Sequence, residues 1–137
     1  MRLTDLLKEI DYECLRGSAG AEVSAVVYDS RKIVPDCLFI CIEGAKFDGH
    51  DYAAEVVEKG AKVLIVSRAA DAVAEKDVTI IKVKDTRYAM ACISAAWFGH
   101  PAEKLKIVGI TGTKGKTTTA YLVKSILENA GFRVGLI

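Results

Sequence analysis

Short apolar runs recur along the chain, separated by polar or glycine-bearing connections. They have the length of single strands and several are rich in β-branched and aromatic residues, which predicts buried β-strands. The predicted strands are 23–28, 37–42, 62–66, 78–83, 107–110 and 132–137. Before and between these runs, apolar residues recur at the spacing of an amphipathic helix. The alternation of strands with helices indicates an α/β fold.

Capping residues and glycines mark where the predicted helices begin and end. The clearest helix starts at the capping residue Asp85, carries Ala89 and Ile93 on one apolar face, and stops at Gly99. The other predicted helices cover 4–10, the segment from Asp51 to the stop at Gly60, and 117–130. Helices with one apolar face are expected to cover the sheet that the strands form.

The last block of the pattern consists of one strand, a loop, a helix and a second strand. A single unit of this kind cannot cover both faces of the parallel sheet that it implies. Gly99-His100-Pro101 stops the preceding helix and marks a join. We therefore predict an N-terminal domain with a mixed sheet over 1–101, followed over 102–137 by the opening unit of a second α/β domain, cut off inside that domain.

Composition and charge favour a small ligand over a nucleic acid or a membrane. The 137 residues are 51% hydrophobic, and 19 basic residues nearly balance 18 acidic ones, so the chain lacks the charge for a broad basic field. No apolar run approaches a membrane span, and the N-terminus lacks the apolar segment of a signal peptide. We expect a cytoplasmic protein without nucleic-acid or membrane partners.

The four cysteines lack the spacing of a metal site or a disulfide framework. Cys37 and Cys41 are close in sequence, but no second pair completes a set of four ligands. Strand alternation puts both thiols on one face, where free cysteine behaves as a small hydrophobic residue. We expect them in the core of a reduced protein.

A glycine-bearing loop between the predicted strand 107–110 and the following helix carries the strongest chemical signal. The loop consists of Gly112, Thr113, Lys114, Gly115, Lys116, Thr117 and Thr118. Glycines let backbone N–H groups converge on phosphates at a helix N-terminus, where Lys116 can reach the outer phosphates and Thr117 can present its hydroxyl to Mg²⁺. The loop therefore predicts a site for ATP and Mg²⁺, with Lys116 as the catalytic residue.

Two features of this loop stay open. The general phosphate-loop pattern has a glycine five positions before Gly115, where this chain has Ile110, with Gly109 one residue earlier. The Lys114 side chain either approaches the nucleotide or faces water, because its role in the motif rests on its backbone N–H. The alternative for the whole loop is a glycine-rich turn with solvated lysines, and the flanking strand and helix favour the phosphate loop.

The run Gly-Ile-Thr-Gly-Thr-Lys-Gly-Lys-Thr-Thr-Thr at 109–119 resembles the ATP loop of the Mur ligases, including its variant glycine spacing. Upstream, Tyr-Asp-Ser-Arg-Lys at 28–32 and Asp-Gly-His-Asp at 48–51 resemble the first domain of the MurE type of that family. Gly99-His100-Pro101 is similar to the join between its first and central domains. The likeness covers essentially all 137 residues.

The resemblance also implies where the uridine diphosphate end of a substrate binds. The implied residues are Tyr28, Ser30, Ala45, Lys46, Phe47 and His50. A hydroxyl and free backbone groups at strand ends suit hydrogen bonds to diphosphate and uracil. His50 follows a turn glycine at a helix start, so ligand contact and a local capping or solvent role both stay open. Arg31 either attracts the diphosphate or pairs with Asp29.

The function that the resemblance implies is that of an ATP-dependent amide ligase of peptidoglycan synthesis, and thus of cell-wall biogenesis, cell shape and cell division. In the MurE type, ATP phosphorylates the D-glutamate carboxylate of UDP-N-acetylmuramoyl-L-alanyl-D-glutamate. The amine of diaminopimelate or lysine then attacks the acyl phosphate and releases phosphate. We expect a monomer whose partners are these small molecules. We expect no catalysis by residues 1–137 alone, because the family's other Mg²⁺ ligand and its amino-acid pocket lie beyond Ile137.

Three other hypotheses remain. A MurF-type ligase shares the features at 29–31 and 48–50, although the lysine-bearing loop and the Gly-His-Pro join favour the MurE type. A small nucleotide kinase or GTPase uses the same kind of loop, but normally near its N-terminus. A module that only binds UDP-sugars is the non-enzyme alternative.

Overall fold

The computed structural model describes residues 1–45, 47–69, 73 and 77–137. The chain divides into two compact units, Met1–Pro101 and Ala102–Ile137. Among the described residues, no helix combines the length and the apolar character needed to cross a membrane.

The first unit is built on a mixed sheet, as the sequence predicted, and among the described residues this sheet has five strands where the sequence predicted four. In chain order its elements are α1 (Leu3–Leu6), β1 (Tyr12–Arg16), β2 (Val26–Val27), β3 (Cys37–Ile40), α2 (Ala53–Glu58), β4 (Ala61–Val66), β5 (Thr79–Val83) and α3 (Thr86–Trp97). The strand order is β1-β5-β4-β3-β2. Strands β2 to β5 run parallel, and β1 pairs antiparallel with β5 at one side of the sheet. The carboxyl ends of four strands therefore share one edge.

Both faces of this sheet are covered. Helices α1 and α3 contribute Leu6 and Ile93 to the core on one face, where they join alternate strand residues such as Ile65. Helix α2 contributes Val56 on the other face, beside Leu64 and its neighbours. Strands buried on both faces appear in a sequence as continuous apolar runs, and this is why β4 and β5 could be predicted from their composition.

Cys37 and Cys41 lie together in the core on the α2 side, as strand alternation predicted. Both thiols are free. Burial raises the pKa of Cys37, and it raises the pKa of Cys41 to about 12. Both cysteines therefore stay protonated and act as small apolar residues at neutral pH.

Some boundaries differ from those predicted. Helix α1 ends at Leu6 rather than at residue 10, although Leu7 and Ile10 beyond it are still buried. Strand β2 is only two residues long. Strand β1 was not predicted at all, because four of its five residues are exposed and its sequence lacks a buried apolar run.

The turn into β3 contains a residue in a left-handed conformation. Asp36 has φ 59°, in the region of backbone conformation that favours glycine. Aspartate tolerates this region better than most residues, so the turn is retained without glycine.

The second unit contains α4 (Lys116–Asn129), close to the predicted 117–130. The short 3₁₀ helix Pro101–Lys104 precedes it. The sequence predicted strands at 107–110 and 132–137, and this prediction was wrong. Neither segment pairs with a strand in the structure. Their apolar side chains are largely exposed, Ile107 by 69% for example. A β-strand exists only through its ladder partners, and no partner for these segments occurs among residues 102–137.

Candidate functional site

The shared carboxyl edge of β2 to β5 gathers the predicted substrate-binding residues that the structure describes. In open α/β sheets this edge is where ligands usually bind. Tyr28 and Ser30 follow β2, and the segment with Ala45 and Phe47 follows β3. Lys46 lies outside the described residues. The structure thus places two of the predicted contact segments at the ends of adjacent strands.

The segment after β2 is held by its own ion pair. Asp29 caps the 3₁₀ helix Ser30–Lys32 by accepting a hydrogen bond from the Arg31 backbone at 3.1 Å. The Arg31 guanidinium donates to both carboxylate oxygens, at 2.9 and 2.7 Å. These side-chain and backbone hydrogen bonds hold the pKa of Asp29 well below its usual value and raise that of Arg31. Arg31 therefore pairs with Asp29 in this structure, and an attraction to the diphosphate stays a prediction.

The Ser30 side chain, between these two paired residues, has no partner among the described residues. Its backbone carbonyl accepts a hydrogen bond from Lys59, whereas its half-buried hydroxyl forms none with any part of the chain that the structure describes. The neighbouring Tyr28 is 67% exposed. A free hydroxyl beside an exposed aromatic ring can receive a polar ligand.

The segment after β3 folds back on itself between Glu43 and Asp48, and we call its described residues, 43–45 and 47–48, the hairpin. Glu43 and Asp48 form an antiparallel bridge, and the Gly44 N–H donates to the Phe47 carbonyl at 2.8 Å. A Cβ added to Gly44 would lie 2.9 Å from that carbonyl, so the close approach requires glycine. Ala45 and Phe47 are exposed on this hairpin, Phe47 by 71%.

His50 lies just after the hairpin, with both ring nitrogens bonded inside the protein. The Ser67 backbone N–H donates to Nε2 at 3.0 Å, so Nε2 accepts and the ring proton sits on Nδ1. Nδ1 donates to Asp48 at 2.6 Å. His50 therefore links the hairpin to the end of β4, which is a local structural role. A direct contact between His50 and a ligand stays a prediction.

Asp48 is the acceptor at the centre of this network. It accepts from the His50 backbone at 2.9 Å and from the Arg68 guanidinium at 2.6 Å. Desolvation raises the pKa of Asp48, but the hydrogen bonds from His50 and the positive charge of Arg68 outweigh it and lower the pKa overall. The carboxylate thus stays ionised and fixes one end of the hairpin.

An arginine from α3 holds the other end of the hairpin. Arg87 donates from its guanidinium to the Glu43 carbonyl at 2.9 Å. Beside this contact lies an open cleft of about 790 Å³, whose lining includes Gly44, Ser67 and Lys84. Sequence reasoning missed Arg87 and Ser67, and neither carries a local signal, since each acts on a segment distant in sequence.

The phosphate loop lies in the second unit and leads directly into α4. Gly115 has φ 74°, which L-residues rarely adopt, and it occupies the N-cap position of the helix. No side chain caps this helix end. The first backbone N–H groups of a helix have no acceptor within it, so this end suits an anion.

Lys116 and Thr117 occupy the first turn of α4. The Lys116 ammonium donates to the Gly112 carbonyl at 2.7 Å, so its side chain folds back over the loop. Thr117 and Lys114 are exposed. An uncapped helix end with a lysine folded over the preceding loop fits a nucleotide phosphate, and the exposed Thr117 hydroxyl fits Mg²⁺. Among the described residues, no cluster of three or more His, Cys, Asp or Glu side chains could hold a metal ion.

Sequence comparison identifies the class to which this fold and these segments belong. The family model described as "Mur ligase family, catalytic domain" matches residues 22–98, which is more than half of the chain and lies wholly within the first unit. The chain belongs to the Mur ligase family.

Within this family the chain is similar to ligases that carry one particular name. It is 51% identical over 137 residues to the UDP-N-acetylmuramoyl-L-alanyl-D-glutamate–2,6-diaminopimelate ligase of Clostridium perfringens. The ligases of that name from Clostridium tetani and Bacillus licheniformis are 42% and 40% identical over 138 residues. All of this chain is matched in each case, but it spans only about 28% of the length of these relatives.

Solved structures of a second Mur ligase share the fold. A crystal structure of MurF from Acinetobacter baumannii matches with a TM-score of 0.64 and 28% identity, over 93% of this chain and 27% of that one. MurF from Thermotoga maritima in complex with ADP matches with a TM-score of 0.56 and 28% identity, over 77% of this chain and 23% of that one.

Proposed function

We propose that this chain is a portion of an ATP-dependent amide ligase that adds diaminopimelate to UDP-N-acetylmuramoyl-L-alanyl-D-glutamate in peptidoglycan synthesis. The observation that carries the proposal is the 51% identity with a ligase of that name along the entire chain. This likeness includes both the sheet edge and the phosphate loop. We further propose that the protein acts in the cytoplasm as a monomer.

The first unit is proposed to bind the uridine diphosphate end of the substrate. The unpartnered hydroxyl of Ser30, the exposed ring of Tyr28, and Ala45 and Phe47 of the hairpin are the described groups that would contact it. Lys46, outside the described residues, is proposed to contact it as well. Hydroxyl and backbone donors suit a diphosphate, and an exposed aromatic ring suits a pyrimidine. His50 would support this surface through Asp48.

The second unit is proposed to bind ATP and Mg²⁺. When bound, ATP supplies the phosphoryl group that activates the D-glutamate carboxylate for attack by the amine of diaminopimelate. The loop N–H groups and Lys116 would hold the phosphates and neutralise their charge, with the Lys114 backbone among them, and Thr117 would hold the Mg²⁺ through its hydroxyl. Lys116 already folds over the loop, which supports this role.

A MurF-type ligase is the second candidate, because solved MurF structures match the fold. Their identity to this chain is 28%, against 51% for the diaminopimelate ligase of C. perfringens, so the sequence favours the latter. A free-standing nucleotide kinase is disfavoured, since the family match lies in the unit before the loop. A module that only binds UDP-sugars differs from the proposal in lacking an ATP site.

Separate titrations of UDP and ATP·Mg²⁺ into the 137-residue chain, followed by calorimetry, test the proposal. Both ligands should bind. Ser30→Ala should weaken only the binding of UDP, and Lys116→Ala should weaken only the binding of ATP. Binding of ATP without UDP would favour a kinase, binding of UDP without ATP would favour the module, and loss of both ligands in either variant would contradict two separate sites.

A further inference from the structure

The hairpin is held from outside at both of its ends. At its carboxyl end Asp48 contacts His50 and Arg68, which flank it in the network described above. At its amino end the Glu43 carbonyl accepts a hydrogen bond from Arg87, 44 residues further along the chain. The two ends are therefore held by residues from different elements.

The contact at Glu43 controls one particular peptide group. The carbonyl of the peptide that joins Glu43 to Gly44 accepts from Arg87 at 2.9 Å. The N–H of the same peptide donates to the Phe47 carbonyl at 2.8 Å, and this bond closes the hairpin. Because glycine allows many backbone conformations, this peptide can rotate easily unless its carbonyl is held. Arg87 thus acts on the bond that sets the position of Phe47.

Arg87 is itself on a rigid support. It lies in the first turn of α3, where its backbone N–H donates to the capping residue Asp85 at 2.8 Å. Helix α3 is anchored in the core through the fully buried Ala89 and Ile93. A side chain on such a helix can hold a loop more firmly than a side chain on another loop.

We propose that Arg87 is a positioning residue for the substrate, which orients the Glu43–Gly44 peptide so that Ala45 and Phe47 are presented to the uridine diphosphate end. This inference rests on the proposed function of the sheet edge. It assigns Arg87 no direct contact with the diphosphate.

The test compares Arg87→Ala with Lys84→Ala, which removes the same charge from the lining of the same cleft without touching Glu43. Water-exchange rates of single amides are measured by NMR. In Arg87→Ala the Gly44 amide should exchange about fivefold faster, the loss expected for one hydrogen bond. The Cys41 amide, which donates to Ile65 in the core, should keep its rate. Lys84→Ala should change neither amide.

UDP affinity, measured on the same proteins, decides whether this positioning serves binding. Arg87→Ala should lower the affinity for UDP about fivefold, and Lys84→Ala should leave it unchanged. Weaker UDP binding with an unchanged Gly44 amide would indicate direct contact and overturn the proposal. An equal effect of Lys84→Ala, or faster exchange at Cys41, would also overturn it. If the unmodified chain binds no UDP, the proposed function fails, while the exchange rate of Gly44 still decides whether Arg87 orients the hairpin.

Discussion

The candidate sites in the two units of this chain are supported by very different amounts of packing. In the first unit every strand pairs, and residues such as Leu64 and Ile81 are fully buried between sheet and helices. In the second unit, described throughout, no residue is buried, and Leu122 on α4 is 61% exposed. The sheet-edge site therefore depends on long-range packing, whereas the phosphate loop depends on local backbone geometry at a helix end. Substitutions should therefore affect the first site through lost packing and the second through changed backbone conformation or charge.

The largest difference should appear in stability. Leu64→Ala removes a fully buried side chain and should lower the free energy of unfolding of the first unit by about 2–5 kcal/mol. Leu122→Ala on the exposed face of α4 should change it by less than about 0.5 kcal/mol. Urea unfolding followed by the fluorescence of Trp97, the single tryptophan, which packs in the first unit, measures both. Similar urea midpoints for the two variants would contradict this difference between the units.

ATP affinity should depend on one lysine of the loop and not on the other. Lys116 folds over the loop, so Lys116→Ala should weaken ATP·Mg²⁺ binding by about 2 kcal/mol, the value of a charged hydrogen bond. Lys114 is proposed to contribute through its backbone N–H, which Lys114→Ala retains, so a change in ATP affinity below about threefold is expected. Calorimetry measures both affinities, and an equal loss in the two variants would show that the loop acts only by net charge.

A matched pair of glycines tests whether local geometry alone shapes the loop. A Cβ at Gly115 or at Gly109 would meet no atom within 4 Å, so neither substitution causes a clash. Only Gly115 has a left-handed backbone, at φ 74°, where a side chain costs about 1–2 kcal/mol. Gly115→Ala should therefore lower the affinity for ATP about tenfold, and Gly109→Ala should leave this affinity unchanged. If Gly109→Ala weakens ATP equally, packing shapes the loop as well.

The smallest effect should be a dependence on pH that is confined to the first unit. Because the pKa of Asp48 is lower in the folded protein than in the unfolded chain, ionisation of this carboxylate stabilises the fold. The stabilisation is fully present above the ordinary carboxyl pKa of about 3.9, and it is lost as the pH falls through the lower pKa of the folded state. Asp48→Asn should flatten this acid limb of the curve of unfolding free energy against pH by about 0.5 kcal/mol or less, because the partner Arg68 is largely exposed to solvent. Asp51→Asn, which removes a carboxylate 3.7 Å from the same arginine, is the control and should leave the limb intact.

The sequence predicted those parts of the fold that depend on local signals. Asp85 was identified as a helix cap, and it accepts from the backbone of Arg87 and Tyr88. The two-face burial of β4 also followed from its composition. Strand β1 was missed because an exposed strand at the side of a sheet lacks the apolar pattern. The strands of the second unit were overpredicted, since apolar composition cannot state whether a partner strand is present.

The candidate site divides in the same way. The phosphate loop could be predicted from consecutive residues, because its glycines and lysines lie in one short backbone segment. The support of the hairpin could not, since the bonds from Arg87 to Glu43 and from Ser67 to His50 span 44 and 17 residues. Such pairs are brought together only by the order of strands in the sheet.

The buried thiols of Cys37, in β3, and Cys41, just after it, can report how often the first unit opens. Only the thiolate attacks an alkylating reagent, and Cys41, with its pKa raised to about 12, forms almost none while the sheet is closed. Exposed Cys14 should be modified at once, whereas Cys37 and Cys41 should react only during moments when the sheet opens. The rate at which mass spectrometry finds them modified would report how often that happens, and a nucleotide bound at the sheet edge should slow it.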